Sequence, residues 1–204
     1  GELILNAAAS GVKKILLGLG GSCTNDCGIG MAAALGYRFL DACGNDVAPL
    51  AKNLSIIEEI VPPLALPDIT VQAACDVDNP LTGPQGATYT FAAQKGADKA
   101  MQDQLEAGMV HFEKVLRRFS GVSAAEMPGA GAAGGMGAAV ALLLNGKLLP
   151  GADLLLDSVG FNQLLQNTDI VFTGEGRIDW QSAHGKVPGS VAKRCKQAGV
   201  PCVA

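Results

Sequence analysis

The sequence carries no excess of positive charge, no long apolar run and no paired-cysteine motif, and each absence removes a class of function. Fifteen Lys and Arg stand against nineteen Asp and Glu, a net charge of −4, and no basic stripe is interleaved with aromatics, which make up only 4% of the chain. Nucleic acids and anionic lipid surfaces are therefore not expected partners, and a small anion would need local cationic groups. Apolar stretches are broken by Gly, Asn or a charge well before the ~20 residues that a membrane span requires, and no signal segment opens the sequence. A cytoplasmic location is the expectation. The six cysteines (Cys23, Cys27, Cys43, Cys75, Cys195 and Cys202) form no C-x-x-C pair and read as reduced, small apolar residues. There is no fixed-period repeat and no low-complexity linker.

What is present suits a globular α/β protein. The 204 residues are 49% hydrophobic with 27 glycines, enough for one large domain or two small ones. Apolar runs expected to form buried strands occur at 13–19, 69–75, 169–173 and 201–204. Helical periodicity occurs at 2–9, 29–35, 98–119, 136–144 and 187–198, an alternation that predicts a substantially parallel sheet. In the longest helix, Met101, Leu105, Met109, Phe112, Val115, Leu116 and Phe119 form a core-facing stripe. Between the first two strands, 37–41, the Gly44-Asn45-Asp46 turn and 54–61 predict a short antiparallel ribbon. The first residues read as an uncapped helix and the last as a strand just beginning, so a middle segment of a longer protein is expected.

Four segments carry chemistry. In ILLGLGGSCTNDCGIG, residues 15–30, an apolar strand breaks into glycines around Ser22, Thr24, Asn25 and Asp26, at a strand's end and a helix's start, where anions are favoured. In residues 74–97, Asp76 and Asp78 follow an apolar strand, turn residues follow them, and Lys95 precedes Gly96. The two carboxylates are expected to serve one site only if the strand ends by Val77. Residues 128–144 contain Gly129, Gly131 and Gly134 in G-x-G-x-x-G spacing but no preceding strand. Tight helix packing and phosphate contact both remain open there. In residues 169–189 a strand runs into Thr173-Gly174-Glu175-Gly176-Arg177, with Asp179, Ser182, His184 and Lys186 beyond. Arg177 and Lys186 suit phosphate, Glu175 or Asp179 a metal or base role, and His184 a hydrogen-bonding role; the spacing excludes a Walker A loop.

Taken in order, GLGGSCTNDCGIGMAAALG, ACDVDNPLTGPQGA with QKGA, PGAGAAGGMGA and TGEGRIDWQSAHGKVP resemble the two-domain bacterial glycerate kinase family over nearly the whole chain. The resemblance implies ATP-dependent phosphorylation of D-glycerate, at the 2-hydroxyl, with magnesium, and a two-domain α/β fold. It departs at Cys23 and Cys27, where the family commonly has Ala and Gly. It also lacks the Pro-Asp-Ser-Phe-Lys-like and Asp-Gly-Gly-Glu-Gly-like blocks, which implies a central fragment of doubtful activity by itself.

The implied architecture is a connecting helix over 1–12, an inserted α/β domain with a mixed or parallel sheet over 13–156, and part of a Rossmann-like, flavodoxin-like three-layer domain over 157–204. On this reading the catalytic candidates are Asp76, Asp78, Lys95, Arg177 and Asp179, with Asp76 and Asp78 also the magnesium candidates. Gly20, Gly21, Ser22, Asn25, Asp26, Gly134, Gly135, Glu175 and Lys186 are the nucleotide-binding candidates. Two other readings are carried: a nicotinamide-dependent oxidoreductase built on Gly129–Gly134, with Asp153 or Asp157 on the ribose, and a folded but inactive fragment.

Overall fold

The computed structural model describes residues 1–176 and 187–204, which divide into two compact units, Gly1–Leu148 and Leu149–Ala204. In the first unit, helix α1 (Glu2–Ala9) leads into strand β1 (Lys14–Gly18), and α2 (Ile29–Ala34) follows the glycine-rich segment. β1 lies parallel to β4 (Thr70–Ala74) in the register Lys14↔Thr70 to Gly18↔Ala74. β4 is the central strand of the three, with β5 (Lys147–Leu149) on its other side.

That order corrects the expectation of a buried first strand. β4 buries Val71 and Ala73, whereas β1, at the sheet edge, leaves Leu16 42% exposed. A strand with one neighbour and one covered face hides only every second side chain.

The antiparallel ribbon forms as β2 (Arg38–Leu40) against β3 (Glu59–Val61), pairing the buried Phe39 with Ile60. The Asp41 carboxylate accepts from the backbone N–H groups of Cys43 and Asn45, which closes the intervening turn. A 3-10 helix, Ala51–Ile56, occupies most of the segment before β3.

Helix α4 (Lys99–Ser120) starts where the Asp98 side chain accepts from Met101 N–H, and stops at Gly121 in the left-handed region. Its middle follows the expected stripe: Met109, Phe112, Val115 and Leu116 are buried, and Phe112 meets Phe39 edge-on at 6.0 Å. Both ends depart from it, since Met101 and Phe119 are exposed where the helix outruns the core it packs on. The same helix buries two carboxylates, Glu106 and Glu113. Glu113 Oε1 accepts from Ser123 Oγ at 2.7 Å and Ala124 N–H at 3.1 Å, tying down the chain that returns from the helix.

The second unit contains α6 (Gly151–Ser158), α7 (Phe161–Leu164), β6 (Val171–Phe172), α8 (Val187–Ala198) and β7 (Cys202–Val203). β6 and β7 are parallel, with Leu165, Val191 and Cys195 as the core beneath them. Phe172, expected in a buried strand, is 74% exposed, because this two-stranded pair is covered on one face only. α6, which straddles the expected boundary at 156, packs within this unit, where the Arg194 guanidinium bridges the Asp153 and Asp157 carboxylates.

Candidate active-site cleft

Because β1 and β4 are parallel and in register, they end side by side at Gly18 and Ala74 and deliver two loops to one edge of the sheet. Residues beyond the carboxyl ends of adjacent parallel strands are where open α/β sheets hold ligands. A cleft of about 230 Å³ opens there. Gly20, Gly21 and Ser22 line it from the first loop, Asp76 from the second, and Phe91, Gln94 and Lys95 from the segment after helix α3 (Ala87–Phe91).

Among the described residues, the Lys95 ammonium is the cation that lines this cleft. It donates to the Thr24 carbonyl oxygen at 2.7 Å and to Ser22 Oγ at 3.2 Å, both neutral oxygens. Burial holds its pKa below the ordinary lysine value, with Cys23 and Asp26 opposing that shift electrostatically.

The glycines divide into two kinds. Gly20 has open space where a side chain would project, as does Gly21, whose φ of +70° favours glycine; both leave the loop backbone accessible to a ligand. Gly134 and Gly135 are buried instead. A Cβ on Gly134 would stand 2.1 Å from the Thr24 carbonyl oxygen, and one on Gly135 would stand 2.7 Å from Cys27 Cα. These two let helix α5 (Ala132–Leu142) press against the first loop, and Gly134 accepts the Cys27 N–H at 2.9 Å. Of the two roles left open for this segment, the packing role is therefore the one on view. Ala133, also in the left-handed region with φ +52°, lines the cleft between them.

Within the first unit, Asp26, Asn25 and Asp78 do not line the cleft. Asp26 accepts from Gly28 N–H at 2.9 Å and Gly30 N–H at 3.2 Å, so it caps α2. Asn25 is buried and bonds Thr88. Strand β4 ends at Ala74, before Val77, yet Asp76 lines the cleft and Asp78, although exposed, does not. Glu175 lies exposed beyond β6 in the second unit. Arg177, Asp179 and Lys186, with His184, lie outside the described residues. Among the described residues, no three His, Cys, Asp or Glu side chains gather into a metal-holding group.

The cysteines are all free, but they are not all interior: Cys27 and Cys195 are buried, whereas Cys23 and Cys43 sit exposed in loops. Phe91, Gln94, Ala133 and Thr88 were not among the site residues expected from the sequence: Gln94 and Ala133 lie inside the QKGA and PGAGAAGGMGA blocks, but their side-chain types carry nothing that sets a lining residue apart from its neighbours.

The family model for glycerate kinases matches residues 1–204. The chain belongs to the glycerate kinase family. It is 45% identical to a glycerate kinase of Bacillus cereus and 42% identical to a glycerate 2-kinase of Escherichia coli, in each case over 100% of this chain and 54% of the relative. The crystal structure of a Salmonella typhimurium LT2 protein described as glycerate kinase 2 superposes with a TM-score of 0.87 at 40% identity, over 98% of this chain and 55% of that one. The chain thus spans about half the length of the relatives it matches.

Membership in the glycerate kinase family fits the geometry better than a nicotinamide site does. No strand leads into Gly129, and a Cβ on Gly131 would stand 2.2 Å from the Pro80 carbonyl oxygen, so that glycine is a packing residue. Asp153 and Asp157, the would-be ribose ligands, are engaged by Arg194.

Proposed function

We propose that this chain supplies the acceptor-side cleft of an ATP-dependent D-glycerate kinase that phosphorylates the 2-hydroxyl. The observation that carries the reading is the convergence of Lys95, Asp76 and the open Gly20-Gly21-Ser22 backbone in one cleft of about 230 Å³. That is smaller than the roughly 300–1,000 Å³ of sites for drug-sized ligands, and it suits a three-carbon acid and the phosphoryl group it receives. The Escherichia coli relative's name supports the choice of hydroxyl.

Phosphoryl transfer asks the protein for positioning and for neutralisation of charge on the transferred group. In this reading, the Lys95 ammonium and the backbone N–H groups of the Gly20–Ser22 loop meet the phosphoryl oxygens. Asp76 orients the acceptor hydroxyl and accepts its proton as the new P–O bond forms and the bond from the γ-phosphorus to the bridging oxygen breaks, releasing ADP. Phe91 narrows the cleft and limits water around the reacting group.

The donor set also fits magnesium. Mg²⁺ takes one or two carboxylates together with phosphate oxygens and water, so a single cleft carboxylate, Asp76, would hold it with the nucleotide. Bound there, the ion would add positive charge beside the phosphate oxygens.

We assign the protein to the cytoplasm. All six cysteines are free, as suits a reducing compartment, and no helix among the described residues is long and apolar enough to cross a membrane.

The test is 31P NMR of the complete protein with MgATP and D-glycerate. Accumulation of 2-phosphoglycerate is the expected result. Accumulation of 3-phosphoglycerate overturns the regiochemistry, and absence of any phosphoglycerate overturns the activity.

A further inference from the structure

We infer that Asn25 and Thr88 form a buried clasp that positions Lys95 against the Gly20–Ser22 loop. This rests on the reading of the cleft given above. It makes Asn25 a positioning residue instead of a nucleotide ligand, and it adds Thr88, which no motif marks.

The two side chains are among the few buried polar groups in the chain, Asn25 at 8% exposure and Thr88 at 0%. Asn25 Nδ2 donates to Thr88 Oγ1 at 3.2 Å. Each is tied through the backbone to a group that holds or carries the lysine. Asn25 directly follows Thr24, whose carbonyl oxygen receives the ammonium. Thr88 lies in the helical run that carries Lys95: its carbonyl oxygen accepts Ala92 N–H at 2.9 Å, and Ala92 in turn accepts Lys95 N–H at 3.0 Å. The clasp therefore joins the backbone that receives the ammonium to the backbone from which the side chain departs.

Energetics argue that the pair is there for geometry. An apolar pair of the same shape would fill this space at no loss of stability, whereas an unpaired buried polar atom is destabilising. Asn25 Oδ1 is such an atom, buried with no hydrogen-bond partner among the described residues. A directional bond fixes register in a way that apolar packing does not. On the same loop, a Cβ on Gly134 would stand 2.1 Å from the Thr24 carbonyl oxygen and 2.6 Å from Asn25 Cα, so only glycine lets the backbone pack this close to Thr24 and Asn25.

The experiment compares wild type, Thr88→Val, Thr88→Cys and Thr88→Ser in the complete protein by steady-state kinetics and by NMR titration of the Lys95 side chain. Valine keeps the shape and removes the acceptor, cysteine keeps a weak one, and serine keeps the hydroxyl. In Thr88→Val, kcat falls about tenfold with the KM for ATP unchanged, and the Lys95 titration moves up toward that of a solvated lysine. Thr88→Cys falls between, which keeps the test decisive where the valine variant does not fold, and Thr88→Ser restores both readouts. Loss of thermal stability in Thr88→Val or Thr88→Cys with the Lys95 titration and kcat unmoved would make the pair a plain core contact and overturn the inference. The titration does not depend on turnover, so a wild-type protein inactive on glycerate would refute the function while the clasp is still judged.

Discussion

The Lys95 ammonium donates to the carbonyl oxygen of Thr24 at 2.7 Å, across 71 residues of sequence. This contact brings the loop after β1 and the segment after α3 to the same point, and it sets what the cleft can do. A cation held against neutral oxygens keeps its charge available for an anion, where a carboxylate partner would have spent it.

Lys95→Met is expected to lower kcat by roughly 100-fold, since a charge-assisted hydrogen bond to the transferred group contributes about 3 kcal/mol. Steady-state kinetics of the complete protein check it. A change under threefold would remove Lys95 from the chemistry.

The alkaline side of the rate profile follows from the same residue. In the proposed role Lys95 is protonated when it meets the phosphoryl oxygens, and burial lowers its pKa in the folded protein. Activity is therefore retained below that lowered pKa and lost as pH rises through it, earlier than an ordinary lysine near 10.5 would dictate. A pH series of kcat/KM reads the limb, and a limb at or above the ordinary value contradicts the assignment.

Gly134→Ala and Gly20→Ala separate packing from ligand approach. The first places a methyl group 2.1 Å from a backbone oxygen at a left-handed position, and is expected to cost more than about 3 kcal/mol by denaturant unfolding. The second meets nothing within 4 Å. Its stability should change by less than about 1 kcal/mol, while the KM for ATP rises as the methyl group crowds the phosphate path. Equal stability losses in the two would refute the division.

Glu113→Ala tests the buried carboxylate of α4. It leaves the buried Ala124 N–H and the Ser123 hydroxyl without their acceptor, a loss of about 2–3 kcal/mol that lowers Tm by roughly 5–10 °C. Glu113→Gln keeps one acceptor oxygen and should lose about half as much. Calorimetry decides, and an unchanged Tm in the alanine variant would contradict the assigned role.

Much of the fold was legible because periodicity survives folding. The helices at 2–9, 29–35 and 98–119, the ribbon and a parallel sheet follow from apolar spacing and turn residues; which strands pair does not. Burial was less legible, since whether Leu16 or Phe172 is covered depends on neighbouring strands that periodicity does not count. At the site, glycine-rich strand ends and Lys95 were readable from composition and order. The roles of Asp26, Asn25, Gly134 and Gly135 were not, because a polar or glycine residue near a loop serves a cap, a core bond or a close contact as readily as a ligand. Only the three-dimensional approach of residue 134 to residue 24 tells these apart.

The most direct test of the central claim is ADP release by the complete protein in MgATP, with and without D-glycerate, for wild type beside Asp76→Asn and Asp78→Asn. With Asp76 facing the acceptor as proposed, glycerate-dependent release should fall about 100-fold or more in Asp76→Asn and far less in Asp78→Asn, since Asp78 does not line the cleft. Release that does not depend on glycerate, or an Asp76→Asn variant as active as wild type, would contradict the account.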